Sequence, residues 1–301
     1  KCPLCRAEKI DQKVVTSHVY GDESGDRAFY HCNECDVRYQ YPGLTVEEEA
    51  NFYAAEFEAF MSVRAGDEGG WMRAEDHIIA NEETRLRRMK YINQYIGESG
   101  NILEIGCSSG FMLSPLNNLG YNCIGIEPSG LFNEFVNSRG IDVYDSMKKL
   151  EQSELGCRFD TIIHFFVLEH IADPLSFLKS QLDLLKPGGK IIFEIPNAAD
   201  PLYSVYDIPA FERFYWSVAH PWYFSEESLN YLLRKLSVSY EILRDQRYDL
   251  SNHMVWAKDG KPGGMGNFTD KLGVETESSY KESLIKSGNC DTLIAVISKD
   301  L

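Results

Sequence analysis

The feature that most restricts what this chain can fold into begins at Asn101, where apolar runs, glycine turns and helical segments start to alternate. Strands are predicted over 101–105, 122–127, 141–144, 161–165 and 190–195, with helices over 111–119, 131–138 and 174–185 between them. The strand runs are largely apolar rather than regularly alternating with polar residues. Such runs suit a parallel sheet covered by helices on both faces, an α/β fold whose ligands bind at the carboxyl ends of the strands. Further strands are predicted over 239–243, 254–256 and 292–297.

The first 42 residues obey a different rule. Cys2-Pro3-Leu4-Cys5 and Cys32-Asn33-Glu34-Cys35 are two Cys-x-x-Cys knuckles separated by a long spacer. This is the arrangement of a zinc ribbon with a tetrahedral site of four thiolates, Cys2, Cys5, Cys32 and Cys35. Four thiolates leave no open coordination position, so a structural Zn2+ is expected, with redox-active pairs as the alternative. Strands are predicted over 14–20 and 29–31. A module this small has little core of its own, and the metal would supply much of its folding free energy. Residues 43–99 read as a helical cap or linker, with helices over 47–60 and 73–96. In the second, Ile78, Ile79, Leu86, Met89, Ile92 and Ile96 fall on one face, and Glu83 is spaced to pair with Arg87. The other four cysteines, Cys107, Cys123, Cys157 and Cys290, are scattered, which fits a reducing compartment and a cytoplasmic location. The formal net charge of −16 disfavours a nucleic-acid partner, and no run approaches the roughly 18 apolar residues of a membrane span.

Three features of the α/β region (100–301) point to one ligand. Leu103-Glu104-Ile105-Gly106-Cys107-Ser108-Ser109-Gly110 forms the first strand-to-helix turn, where glycines admit a ligand that side chains would exclude. Glu127 ends the second strand, where a carboxylate can accept ribose hydroxyls. Phe159-Asp160-Thr161-Ile162-Ile163 leads through Leu168-Glu169-His170 to Leu185-Lys186-Pro187-Gly188-Gly189. With these motifs the chain resembles the class I S-adenosylmethionine-dependent methyltransferases over about 101–236. The resemblance implies a Rossmann-like sheet, mostly parallel, closed by an antiparallel C-terminal edge. It also implies S-adenosylmethionine as cofactor, with Glu104 near the methionine amino group and Ile105, Gly106, Cys107, Ser108 and Gly110 around the methionine portion. Glu127 and Pro128 would hold the ribose, Asp145 and Ser146 flank the adenine, and Phe165 lie beside the cofactor. Many members have glycine where this chain has Ser108. A dinucleotide fingerprint fits poorly, since Ser108 and Phe111 stand where it requires glycines.

Methyl transfer is an in-line displacement, and a hydroxyl or carbon acceptor must also lose a proton. An aromatic segment at about 198–224 follows the fifth strand and is expected to form an insertion lining a substrate pocket. Within it lie the candidate base His220 and the candidate Tyr215; His170, beside Glu169, is a further candidate. The stretch 219–225, together with the cysteine module, is similar to zinc-bearing sugar C-methyltransferases of deoxysugar pathways, although Ala219 stands where those enzymes have glutamate. The function expected is methylation of a small molecule in polysaccharide or natural-product synthesis, at a sugar or nucleotide-sugar hydroxyl or carbon, with an imidazole base. The alternatives are rRNA or tRNA base methylation and a noncatalytic zinc-ribbon interaction protein. Nothing in the sequence sets an oligomeric state.

Overall fold

The computed structural model describes residues 1–43, 45, 48, 73–153 and 159–300. Of the helix expected over 47–60 only Glu48 is described, and Cys157 lies outside the described residues. The N-terminal module contains β1 (Gln12–Thr16), β2 (Ala28–Cys32) and β3 (Arg38–Tyr41), followed by α1 (Ala74–Ala80) and α2 (Glu82–Ile92). The α/β region runs β4 (Asn101–Ile105), α3 (Leu113–Asn118), β5 (Asn122–Ile126), α4 (Gly130–Ser138), β6 (Asp142–Tyr144) and α5 (Met147–Gln152). It continues with β7 (Phe159–Phe165), α6 (Pro174–Leu184), β8 (Leu185–Pro196), α7 (Pro201–Ser204), α8 (Pro209–Tyr215) and β9 (Trp222–Tyr223). The remainder is α9 (Glu226–Arg234), β10 (Ser239–Asp245), α10 (Leu250–Asp259), α11 (Thr269–Leu272), α12 (Val274–Ser287) and β11 (Thr292–Ser298).

Seven strands form the main sheet in the order β10-β11-β8-β7-β4-β5-β6. β6, β5, β4, β7 and β8 are parallel, while β11 is antiparallel to both β8 and β10. The expected class, a Rossmann-like sheet with an antiparallel C-terminal edge, is what the chain adopts. The strand order reverses between β4 and β7, and at such a switch point the loops diverge and open a crevice at the carboxyl ends of the strands. Ile102, Leu103, Ile162, Ile163, Ile191 and Ile192 are buried, which accounts for the largely apolar runs.

The N-terminal module is not an independent appendage. β3 pairs antiparallel with β9, Arg38 opposite Tyr223 and Tyr39 opposite Trp222, so a four-stranded sheet β1-β2-β3-β9 contains chain from both regions. Gln40 N donates to Pro221 O (2.9 Å), Tyr20 N to Trp216 O (2.7 Å) and Lys235 Nζ to Leu4 O (2.6 Å). Beneath the shared sheet, Phe29 packs on Trp216 and Tyr223, with Leu202, Phe211, Tyr215 and Trp256 around them.

Four expectations are corrected by these packing arrangements. The aromatic segment at 198–224 supplies core rather than an open pocket wall, since Phe211, Tyr215, Trp216, Trp222, Tyr223 and Phe224 are all buried. Residues 254–256 are not a strand but part of α10, whose N-cap Asp249 accepts from Asn252 N (2.8 Å). The single helix over 73–96 is two helices meeting at Asn81, and its buried side chains are Ala74, His77, Arg88, Tyr91 and Ile92, whereas Ile79 and Leu86 are exposed. The Glu83–Arg87 pair does not form; Arg87 reaches instead to Glu194 (2.6 Å) and Asp245.

Candidate functional site

The site begins at the turn between β4 and α3. Gly106 and Gly110 adopt φ of +73° and +71°, in the left-handed region, and close packing adds a second demand. A Cβ on Gly106 would sit 2.9 Å from Val167 Cγ2, and one on Gly110 2.9 Å from Val136 Cγ2. Ser108, which replaces a common glycine, itself holds φ +49°. Its amide donates to Glu127 Oε2 (2.7 Å), and Ser129 N donates to Glu127 Oε1 (2.9 Å). Two backbone amides therefore orient the Glu127 carboxylate at the mouth of the turn. Cys107 is buried, and Gly125 on the neighbouring strand admits its sulfur, since a Cβ there would lie 2.6 Å from Cys107 Sγ.

Glu104, two residues before Gly106, is 1% exposed, and its Oε2 has no hydrogen-bond partner among the described residues. Burial drives its pKa well above the ordinary carboxyl value; Arg88 opposes the rise and Glu127 adds to it. A buried acid of this kind suits an incoming ammonium group. Ser146 caps α5, accepting from Lys149 N (3.4 Å), and Asp145 pairs with Lys149, whose hydrogen bond lowers its pKa. Both lie just past β6, at the same end of the sheet as Glu127. The residues expected for the methionine, ribose and adenine portions thus line one edge, and they fit the group the sequence implies.

On the other side of the switch point, Phe165 ends β7 with the Arg88 guanidinium 3.9 Å from its ring centroid. Phe166 is held at φ +56°, and the Arg247 guanidinium lies 4.2 Å from its ring. Arg88 also donates to Glu194 (2.9 Å), which accepts from Tyr91 (2.7 Å) and pairs with Arg87. Burial alone would raise the pKa of Glu194, but Arg88 and Arg87 overcome it and hold the acid at about 2. Sequence reading missed this network. Its one signal was an acid, Glu194, inside the apolar run Ile191-Ile192-Phe193-Glu194-Ile195.

The Leu168-Glu169-His170 motif forms a 3-10 turn directly after β7, packed on the glycine turn through Val167. His170 Nδ1 lies 2.6 Å from Ala219 O, and the His170 and His220 rings are 4.6 Å apart at 81°. Trp222 Nε1 donates to Ile171 O (2.9 Å), clamping the two segments from the other side. Glu169 is 1% exposed, and burial pushes it up to about 8. The two candidate histidines therefore meet, with Glu169 between motif and core. Tyr215 does not join them: its hydroxyl donates to Asn197 O (2.8 Å) inside the aromatic core. His164 is structural, stacked on Phe193 at 4.7 Å.

In the N-terminal module the four cysteine sulfurs converge within 4.8 Å, with Cys2 and Cys35 3.7 Å apart and Cys5 and Cys32 3.6 Å apart. Four thiolates at about 2.3 Å from one tetrahedral zinc stand about 3.8 Å from one another, so the donor set fits that ion.

A family model described as a methyltransferase domain matches residues 79–236, more than half of the chain and all of the first five strands of the parallel sheet. The chain belongs to that methyltransferase family. It is similar to the ubiquinone biosynthesis O-methyltransferase of Ruegeria pomeroyi, 31% identical over 109 residues, covering 35% of this chain and 44% of that protein. The protein of the same name from Cereibacter sphaeroides is 28% identical over 152 residues, 44% of this chain and 58% of its own length. The chain thus spans about half the length of these relatives. Its fold is that of a SAM dependent methyltransferase from Archaeoglobus fulgidus (TM-score 0.52, 18% identity, 81% of this chain and 100% of that one). It is likewise that of the plantazolicin methyltransferase BpumL in complex with SAH (TM-score 0.51, 15% identity, 84% and 94%). Among the described residues no helix is long and apolar enough to cross a membrane.

Proposed function

We propose that this chain transfers a methyl group from S-adenosylmethionine to an oxygen of a small molecule. The observation that carries the reading is Glu104, a buried carboxyl with an oxygen unpartnered among the described residues, just before a glycine turn, in a chain of the methyltransferase family. S-adenosylmethionine supplies an electrophilic sulfonium methyl group. Glu104 would hold its ammonium, the backbone of 105–110 would enclose the methionine portion, Glu127 and Pro128 would orient the ribose, and Asp145 and Ser146 would flank the adenine. Phe165 bounds the site on the acceptor side. The Glu169, His170 and His220 cluster would take the proton of an acceptor hydroxyl whose oxygen displaces the sulfur at the methyl carbon.

Oxygen as the acceptor atom is supported by the names of the relatives, both O-methyltransferases. A sugar or nucleotide-sugar hydroxyl is the specific form suggested by resemblance of the cysteine module and the 219–225 stretch; the relatives named above give that form no support. A nucleic-acid acceptor is opposed by the net charge of −16. The cysteine module carries a structural zinc whose work is to hold β3 against β9, beside His220. Incubation with methyl-tritiated S-adenosylmethionine and separate pools of phenols, sugars, nucleotide sugars and RNA tests the reading. Label in a hydroxylated small molecule, lost in a Glu127→Ala variant, is expected. Transfer to RNA alone, or to no pool despite cofactor binding, would contradict it.

A further inference from the structure

Three metal-ligating side chains meet beside the cofactor turn from two separate stretches of chain: Glu169 and His170 from the turn after β7, and His220 from the loop before β9. One donor atom of each lies within 4.8 Å of the others. Three tetrahedral ligands at about 2.1 Å from a cation stand about 3.4 Å apart, so shifts of under about 1 Å per side chain close the set.

Two observations distinguish this cluster from chance crowding. Neither Glu169 oxygen has a hydrogen-bond partner among the described residues, although the side chain is buried. The one guanidinium that acts on its charge, Arg247, is committed to Asp291 (3.2 Å). Buried carboxyls are ordinarily matched by donors or cations. The second observation concerns orientation. A carbonyl only accepts, so the 2.6 Å contact to Ala219 O assigns the proton of His170 to Nδ1 and makes Nε2 the donor of a lone pair. Metal-bound imidazoles are commonly held in this way, by a backbone carbonyl on the far nitrogen. Here that carbonyl belongs to the residue preceding His220, so the contact ties His170 to the backbone beside the second ring.

We propose that Glu169, His170 and His220 form a binding site for a divalent transition-metal cation, with its remaining coordination positions open to an oxygen of the acceptor. Two imidazoles and one carboxylate favour an ion of the zinc, manganese, iron or cobalt class over magnesium or calcium, which prefer all-oxygen shells. A hydroxyl bound there has a lowered pKa and releases its proton to solvent before the oxygen attacks the methyl carbon. In the metal-loaded protein His220 is then a ligand, and no imidazole base is required. This role rests on the methyl-transfer reading; the binding of the cation does not.

The test uses the full chain with its cysteine module loaded with zinc, titrated with Co2+ and followed by absorption. One further equivalent is expected, with visible d–d bands and without the near-ultraviolet charge-transfer band of a thiolate site. Glu169→Gln and His220→Gln should each weaken that equivalent by about tenfold or more. S-adenosylhomocysteine affinity, measured on the same samples, should stay unchanged and so report that the variants are folded. Absence of the further equivalent, a sulfur-to-cobalt band accompanying it, or indifference to both substitutions would overturn the proposal. Cobalt uptake as expected in a protein that never binds S-adenosylhomocysteine would sustain the metal site and overturn the cofactor reading alone.

Discussion

At the scale of single residues, the site is governed by how each buried charge is compensated. Glu194 shows the fully compensated case: Arg87, Arg88 and Tyr91 surround it and keep it ionised at about 2. Its folded pKa lies below the unfolded value, so the stabilisation is complete above about pH 4.5 and is lost as pH falls through about 2, on the order of 3 kcal/mol. Glu194→Gln should destabilise by about 3 kcal/mol at neutral pH, because the buried Arg88 guanidinium loses its carboxylate and the half-buried Arg87 keeps only Asp245, and denaturant unfolding checks this. Glu104 shows the opposite case. Burial raises the pKa of its carboxyl and an arriving ammonium opposes that rise, so a proton held by the free carboxyl should be released on binding. The calorimetric enthalpy of S-adenosylhomocysteine binding should therefore vary with the ionisation enthalpy of the buffer, and the variation should vanish in Glu104→Gln. Gly106→Ala combines a left-handed backbone with a 2.9 Å approach to Val167. It should weaken cofactor binding by about tenfold or more and destabilise the fold by about 1–3 kcal/mol, measured by titration and thermal unfolding.

At the scale of elements, what sequence could reveal follows from how far apart the partners are. The strands β4, β5, β7 and β8 and the turn with Gly106 and Gly110 were legible, because a parallel sheet buried on both faces writes itself as apolar runs broken by glycine. Helix α12 was not, since Val274–Ser287 is mostly polar and buries only Glu277 and Leu284, leaving no apolar stripe to read. The run 254–256 was too short for its period to separate strand from helix. The pairing of β3 with β9 was invisible for another reason: two residues, Trp222 and Tyr223, meet a strand some 180 positions earlier. The cysteine motif was legible and its consequence was not. Zinc removal by a chelator should loosen β1, β2 and β3 and with them β9 and the loop bearing His220. Hydrogen exchange would then accelerate at Gln40 N and Val218 N, whose bonds to Pro221 and Tyr20 join the two regions. Acceleration confined to residues before Cys35 would contradict this coupling.

At the scale of the whole molecule, the shared sheet and the aromatic core beneath it join the cysteine module to the α/β domain, and the two should unfold together. Zinc-loaded protein should unfold in a single transition, with tryptophan fluorescence and far-ultraviolet circular dichroism coincident. The cofactor should raise the midpoint, by about 2.7 kcal/mol of added stability at a hundredfold excess over its dissociation constant. On the proposed reading, the switch between β4 and β7 would join a cofactor edge at Glu104 and Glu127 to an acceptor edge at Glu169, His170 and His220. The central claim is that the first of these edges binds S-adenosylmethionine, and calorimetric titration of S-adenosylhomocysteine into the zinc-loaded chain, beside Glu127→Ala, tests it most directly. Micromolar binding that is lost in the variant is the expected result. A folded, zinc-loaded protein that takes up no S-adenosylhomocysteine, or one whose binding ignores the loss of Glu127, would contradict the account.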